Sequence, residues 1–263
     1  MSTDPTEPPV QLRREGAVAV LRLNRPAALN ALDVPTTDAF LAACRTLAAD
    51  AGVRAVVVCG AGRSFGVGGD LAAMRGDATA VAARLIEGLH GGLRLLCAMD
   101  APVIASLQGA VAGGSLSLAL GCDLAIAADT ASFNLAYTRI GASCDGGSSW
   151  HLPRLLGLRH AMQIALLSDT FDAAEALRLG LVNRVVPAAT LEAETMALAQ
   201  RLAAGPTLAY GRVKRLLRQS LDNDLATQLD AEAAAFADGT RTRDFDEGLA
   251  AFFAKRPPAF EGR

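Results

Sequence analysis

The sequence predicts an α/β protein with a helical C-terminal region. Short apolar segments typical of buried strands alternate with helical segments up to about residue 190. From residue 191 to residue 253 no convincing strand is found, and alanine- and leucine-rich helical segments take over. With 263 residues and 51% hydrophobic content, the chain can bury a sizeable core.

The elements of the core follow from local patterns. Residues 10–14 and 17–23 are predicted to form a hairpin, because Glu15-Gly16 is a turn-like pair between two β-rich segments. The later strands are continuous apolar runs, as expected of strands that are covered on both faces. In order, the remaining elements are a helix over 36–49, a strand over 55–59 (AVVVC), a helix over 78–96, a strand over 103–107, a short helix over 115–120 that Gly114 opens, and a strand over 124–127.

The chain is expected to divide into three regions. Residues 1–9 are polar and proline-containing and predict a flexible tail, residues 10–190 form the core, and residues 191–263 form a helical region. Gly205-Pro206 and Asp222-Asn223-Asp224 divide that last region into three or four helices. Because these helices carry many apolar faces, we expect them to pack on the core or on another subunit.

Charge and cysteine content narrow the function classes. A net charge of −2, from 25 basic and 27 acidic side chains, favours neither nucleic acid nor an anionic membrane as a partner. The N-terminus has no basic and apolar signal-peptide pattern, and five cysteines form no CxxC pair. The cysteine pattern and the missing signal-peptide pattern predict a reducing, cytoplasmic location. The three histidines show no metal-binding spacing, so we expect no metal site.

Two glycine-rich loops each follow a predicted strand. The first, CGAGRSFGVGGDL (59–71), departs from the GxGxxG spacing of dinucleotide-binding loops and lacks the GK[ST] ending of a P-loop. The second, residues 109–114, leads into a helix. Glycines let a ligand approach backbone N–H groups closely, so the two loops together could form an oxyanion hole. The alternative is that both are tight turns under close packing.

Several motifs in order resemble the crotonase superfamily, the enoyl-CoA hydratases and isomerases. The resemblance runs from about residue 10 to the C-terminus and rests on LNRPAALNAL (23–32), SFGVGGDL (64–71), VIASLQGAVAGGSLSLALGCDLAIA (103–127), AEALRLGLVNRVV (174–186) and FFAKRPPAF (252–260). It implies a crotonase-like spiral of ββα repeats and a C-terminal helical region for oligomerisation. It also implies acyl-CoA thioester substrates and a homotrimer or dimer of trimers.

By motif position, the resemblance makes the N–H groups of Gly69 and Gly114 the donors to the thioester oxygen. Coenzyme A would be part of the substrate, with no separate cofactor. The residues that the resemblance places in contact with coenzyme A are Ala28, Val67, Phe252 and Lys255. The last two lie in a tail that often comes from a neighbouring subunit in this family. Without the resemblance, Lys255 would be a solvated tail charge.

The acid/base residues depart from the hydratase pattern. Hydratases of this family use two glutamates, and this chain has Ser117 and Tyr137 at those positions, neither of which is a credible general base at neutral pH. The candidate base is Asp145, in TRIGASCDGGSSWHLPRLLG (138–157), which is similar to the corresponding loop of isomerase-like members. A turn or a helix cap is the alternative role for Asp145.

One acid/base group suffices for an isomerase, which removes a proton from C2 of a 3-enoyl thioester and returns it at C4. The residues therefore favour isomerisation. The alternatives are a 2-enoyl-CoA hydratase in which Asp145 activates water, an isomerase of ring-epoxide acyl-CoA like that of phenylacetate breakdown, and a non-catalytic acyl-CoA binder. Cys144, which replaces the usual proline before the aspartate, could also act as a nucleophile, although no histidine is adjacent to it in sequence.

Overall fold

The computed structural model describes residues 7–263. Residues 1–6, most of the predicted N-terminal tail, lie outside the described residues. The remaining residues of that tail contact the first hairpin. The backbone N–H of Asn24 donates to the Pro9 carbonyl at 2.8 Å, and its side-chain amide donates to the Glu7 carboxylate at 3.1 Å.

Residues 7–263 form nine strands and nine α-helices. The strands are β1 (Val10–Glu15), β2 (Val18–Leu23), β3 (Ala55–Gly60), β4 (Val103–Leu107), β5 (Ala110–Ala112), β6 (Leu124–Ala128), β7 (Ser132–Asn134), β8 (Phe171–Asp172) and β9 (Arg184–Val186). The helices are α1 (Val34–Ala49), α2 (Ala78–Ala98), α3 (Gly113–Gly121), α4 (Ser148–Leu167), α5 (Ala173–Arg178), α6 (Leu191–Ala203), α7 (Thr207–Gln219), α8 (Leu225–Gly239) and α9 (Arg243–Ala254). None of these helices is both long and apolar enough to cross a bilayer.

The main sheet has six strands in the order β1-β2-β3-β4-β6-β9. The predicted hairpin is confirmed: β1 and β2 pair antiparallel, and Gly16 adopts a positive φ of 63° in the turn between them. The other neighbouring strands all pair in parallel. The carboxyl ends of these parallel strands lie at one edge of the sheet, where loops can assemble a site.

Helices cover both faces of this sheet, which explains why its strands are continuous apolar runs. On one face lie α1 and α2, which pack closely because Gly88 and Gly92 of α2 leave room for Thr37 and Phe40 of α1. On the other face, the small side chains of α6 pack against β2, β3 and β4.

A second sheet, of three strands in the order β5-β7-β8, was not predicted. Its strands are two or three residues long, too short to show an apolar period. It contacts the first glycine-rich loop through a parallel bridge between Gly66 and Val111. The second sheet therefore holds the start of α3 beside that loop.

The prediction of a helical C-terminal region is confirmed, with α6–α9 separated at Gly205-Pro206 and near Asp222–Asp224. A nearly buried ion pair attaches this region to the core. The Lys214 ammonium of α7 lies 2.7 Å from the Asp123 carboxylate, and the two side chains are only 9% and 13% exposed. Lys214 also donates to the carbonyls of Met99 and Ala101, so its charge and its donors are satisfied together.

The outer surface of α7–α9 is strongly apolar. A groove of about 940 Å³ lies between these helices and is lined by Leu216, Phe236 and Phe245, among others. Phe252 and Phe253 at the end of α9 are more than three-quarters exposed in the single chain, at 76% and 78%. This surface is consistent with the predicted oligomerisation region, which stays a prediction.

Helix α4 is broken in the middle. Gly157 adopts φ 74° and ψ 160°, which separates Ser148–Leu156 from the residues that follow. Only glycine adopts this backbone conformation readily. The break therefore depends on the residue type at position 157.

We expect Gly157→Ala to lower the free energy of unfolding by about 1–3 kcal/mol, because alanine is strained in that conformation. No heavy atom lies within 4 Å of the added methyl group, so the loss would come from the backbone alone. The matched control is Gly239→Ala, which also has open space but an ordinary helical backbone, and which should be neutral or stabilise by up to about 1 kcal/mol. Urea unfolding measures both, and equal effects would contradict this explanation.

Candidate active site

The two glycine-rich loops are hydrogen bonded to each other. The Gly66 N–H donates to the Ala110 carbonyl at 3.1 Å, and the Ala112 N–H donates to the Gly66 carbonyl at 2.9 Å. The Gly68 N–H donates to the buried Ser115 hydroxyl at 3.1 Å. The loops therefore run side by side, as the oxyanion-hole interpretation requires.

Gly68 sets how closely the loops approach. A β-carbon built on Gly68 would lie 3.0 Å from the Gly114 amide nitrogen and 3.1 Å from the Gly113 α-carbon. Its φ of 87° is in the left-handed region as well. Both space and backbone conformation thus require glycine at position 68.

The geometry leaves the Gly69 N–H available for a ligand. Leu32 donates to the Gly68 carbonyl and accepts from the Asp70 N–H, at 2.7 Å and 2.8 Å. Since successive residues of an extended segment present their N–H groups to opposite sides, the Gly69 N–H points away from Leu32. On the far side of Gly69, Asp70 is held by the Arg25 guanidinium at 3.1 Å.

Gly114 is the second residue of α3, which begins at Gly113, two residues before the predicted range of 115–120. The first N–H groups of a helix have no partner within the helix, and the N-cap residue Ala112 has no side chain that could cap them. The positive end of the helix dipole adds to their attraction for an anion. Gly69 and Gly114 both line the same cavity.

That cavity has a volume of about 730 Å³ and a mostly apolar wall. Its apolar lining includes Leu32, Leu71, Met74, Leu85, Ile86 and Leu89. Two charged side chains line it, those of Arg139 and Asp145. The Arg139 guanidinium donates to the Ser168 carbonyl at 2.6 Å. Asp145 is the one residue of this wall that carries a carboxylate.

Asp145 faces the cavity and does not cap α4. The N-cap of α4 is Gly147, which offers no side chain. The backbone carbonyl of Asp145, not its carboxylate, accepts from the N–H and the hydroxyl of Ser148, at 3.2 Å and 3.0 Å. The carboxylate instead accepts a hydrogen bond of 2.5 Å from the Tyr137 hydroxyl. The backbone of Asp145 thus forms the turn before α4, while its side chain lines the cavity.

Ser117 and Tyr137 lie together beside Asp145. Their hydroxyl oxygens are 3.1 Å apart, and Ser117 is also 3.4 Å from the Gly113 carbonyl. Burial, and next the charge of Asp145, raise the pKa of Tyr137 far above its ordinary value. Tyr137 therefore stays protonated and acts as a donor.

Of the four residues predicted to contact coenzyme A, only Val67 lines the cavity of this chain. Ala28 ends a 3-10 turn, Pro26–Ala28, next to the first glycine-rich loop. Phe252 and Lys255 lie at the end of α9 on the surface of the chain. Their contact with a coenzyme A bound to a neighbouring subunit stays a prediction.

Two features of the site were not predicted from the sequence: the hydrogen bond that His90 makes to the Asp145 loop, and the position of Cys144 in the cavity wall. His90, on α2, accepts a hydrogen bond of 3.0 Å from the Gly146 N–H and thereby holds the loop that carries Asp145. No sequence motif marks it. Cys144 lines the cavity, but within the described chain no histidine is hydrogen bonded to its thiol, so the residue lacks the activating base of a cysteine nucleophile.

Comparisons with known proteins agree with this geometry. Residues 13–263 match the family described as enoyl-CoA hydratase/isomerase. A Rhodobacter capsulatus protein named as a probable enoyl-CoA hydratase is 38% identical, over 94% of this chain and 95% of its own length. The 1,2-epoxyphenylacetyl-CoA isomerase of Escherichia coli K12 is 37% identical, over 95% of this chain and 97% of its own length.

Solved structures of enoyl-CoA hydratases have the same fold. The crystal structure of an enoyl-CoA hydratase from Polaromonas sp. JS666 superposes with a TM-score of 0.90 at 34% identity, covering 96% of this chain and 99% of that one. The expected crotonase fold is thereby confirmed. With the family match spanning nearly the whole chain, this protein belongs to the enoyl-CoA hydratase/isomerase family of the crotonase superfamily.

Proposed function

We propose that this enzyme moves a double bond of an acyl-CoA thioester from position 3 to position 2, with Asp145 as its base. One observation carries the proposal: Asp145 is the carboxylate of the cavity wall, in the same cavity as Gly69 and Gly114. The two positions at which hydratases carry glutamates hold hydroxyl side chains here, those of Ser117 and Tyr137.

The proposed reaction needs one base that acts twice. The Asp145 carboxylate removes a proton from C2, and the electron pair of that C–H bond moves into a dienolate whose negative charge lies on the thioester oxygen. The N–H groups of Gly69 and Gly114 stabilise that oxygen. Asp145 then returns the proton to C4, which leaves the double bond between C2 and C3 and regenerates the carboxylate.

The apolar wall supports an acyl chain as the bound group. It also keeps water away from the oxyanion, so that the two N–H donors act at a low local dielectric constant. Coenzyme A would enter as part of the substrate, past Val67 and with help from Ala28, Phe252 and Lys255. A cytoplasmic homotrimer or dimer of trimers belongs to the same proposal.

A second candidate is the isomerisation of a ring epoxide attached to coenzyme A. It is favoured by the 37% identity with the Escherichia coli enzyme named for that reaction. A 2-enoyl-CoA hydratase remains the third, since relatives such as the crotonyl-CoA hydratase of Syntrophomonas wolfei are 36% identical. Product analysis separates these three.

We expect wild-type protein to convert a 3-enoyl-CoA to the 2-enoyl-CoA, and Asp145→Asn to lose about 10²- to 10⁴-fold in kcat because the amide cannot take the proton. The measurement is turnover of 3-enoyl-CoA, 2-enoyl-CoA and a ring-epoxide acyl-CoA side by side. Asp169→Asn, which changes an exposed loop aspartate, is the matched control and should keep full activity. Hydration of the 2-enoyl-CoA alone, or turnover of the epoxide alone, would replace the proposed reaction by that one.

The contact between the glycine-rich loops gives a second test. In Gly68→Ala the new methyl group would meet the backbone of Gly113 and Gly114 and displace the donor at Gly114. Because loss of one oxyanion donor typically costs about 10²- to 10³-fold in rate, we expect kcat to fall by that factor while the fold is kept. Gly76→Ala is the matched control, with φ 103° but nothing within 4 Å, and its kcat should be nearly unchanged. Equal losses in both variants would count against the oxyanion role of these loops.

A further inference from the structure

We infer that Tyr137 is the positioning residue for Asp145: its phenol holds one carboxylate oxygen so that the other is free to move a proton between C2 and C4. This inference rests on the proposed function, because it assigns the group that orients the proposed base. Four observations lead to it.

The first observation is that the backbone around Asp145 is held from three sides. His90 of α2 accepts from the Gly146 N–H, and Ser148 of α4 bonds the Asp145 carbonyl. Gly146 packs on α3 so tightly that a β-carbon there would lie 2.6 Å from the Ser117 β-carbon. Only the side-chain torsions of Asp145 remain to be fixed.

The second observation is that Tyr137 supplies that restraint. Its hydroxyl donates to Oδ1 of Asp145 at 2.5 Å. Among residues 7–263 no other group donates to this carboxylate, so Oδ2 is left free at the cavity. One oxygen is anchored and the other can accept a proton.

The third observation is the direction of the hydrogen bonds. A hydroxyl has one proton to donate, and Tyr137 gives its proton to Asp145, so Ser117 is the donor whenever these two hydroxyls are bonded. The other acceptor for the Ser117 proton is the Gly113 carbonyl, at 3.4 Å. The result is a chain of donors that runs from Ser117 to Tyr137 to the carboxylate.

The fourth observation is that the backbone is strained where it delivers Tyr137 to the cavity. Ala136, just before it, has a φ of 58°, a left-handed conformation that costs a non-glycine residue of order 1–3 kcal/mol. The surrounding contacts maintain it: Asn134 donates to the Ser168 carbonyl at 2.7 Å, and Arg139 donates to the same carbonyl. The Tyr137 hydroxyl ends up near Gly114, 3.6 Å from where a β-carbon on that glycine would be.

A single base must reach two carbon atoms on one face of the substrate within one turnover. A carboxylate that is anchored at Oδ1 can swing Oδ2 over that short arc without rotating out of the site. Tyr137 is not the base itself, because it keeps its own proton.

The test removes the phenol oxygen alone. Tyr137→Phe should lower kcat for 3-enoyl-CoA isomerisation by about tenfold to a hundredfold, the effect of losing one hydrogen bond to a charged group, with little change in KM. Tyr210→Phe, the same change at the other tyrosine of the chain, is the matched control and should alter neither.

A second measurement needs no substrate. In the Tyr210→Phe background, tyrosine labelled with ¹³C at Cζ gives one resonance, that of Tyr137. Its chemical shift should change in Asp145→Asn, because the phenol then donates to a neutral amide oxygen instead of a carboxylate oxygen, whereas Asp169→Asn should leave it unchanged.

The two measurements separate the possible failures. A Tyr137 resonance that Asp145→Asn leaves unchanged would overturn the inference, and so would a fully active Tyr137→Phe enzyme. Absence of isomerisation by the wild type, with the Tyr137 resonance still changed by Asp145→Asn, would instead overturn the proposed function and leave only the contact between the two side chains.

Discussion

The close approach of two backbone segments is the constraint on which the rest of the structure depends. Each segment follows a parallel strand, and they meet where Gly68 lies against Gly113 and Gly114 without any side chain between them. Everything around the contact supports it: the second sheet holds one loop, Ser115 caps an N–H of the other, and Arg25 holds the end beyond Gly69. Backbone N–H groups can stabilise an oxyanion without a charged side chain, but the two loops must keep these donors at a fixed distance from each other.

Around that contact, two kinds of wall enclose the cavity that Gly69 and Gly114 line. The carboxylate side is polar and is built from several elements, with His90, Ser148 and Tyr137 each bonding a different part of the loop that carries Asp145. The rest of the wall is mostly apolar and comes mainly from α2 and from the segment after Gly69. Polar groups are therefore concentrated at the atoms where a proton would move, and the remaining wall supplies only shape and exclusion of water.

Much of the fold could be predicted from the sequence, because strong local signals mark its elements. The hairpin at Gly16, the buried runs that became β3, β4 and β6, and the helical character of α6–α9 all follow from period and turn chemistry. The short strands of the second sheet could not be predicted, since their pairing is decided by tertiary contacts. The motifs led to Gly69, Gly114 and Asp145, but the hydrogen bond from Tyr137 could not be seen. It depends on the left-handed turn at Ala136, which no residue preference favours there.

The break in α4 at Gly157 separates two tasks that one continuous helix would couple. The first segment continues from the loop that carries Asp145 and must keep its orientation, whereas the second exposes Leu158, Met162 and Leu166 on the surface. A straight helix behaves as a rod, so a tilt at its outer end would be transmitted to the loop at its inner end. Because the helix is interrupted at Gly157, its second segment can change in sequence during evolution, or shift when another molecule covers it, while the orientation of the Asp145 carboxylate is kept.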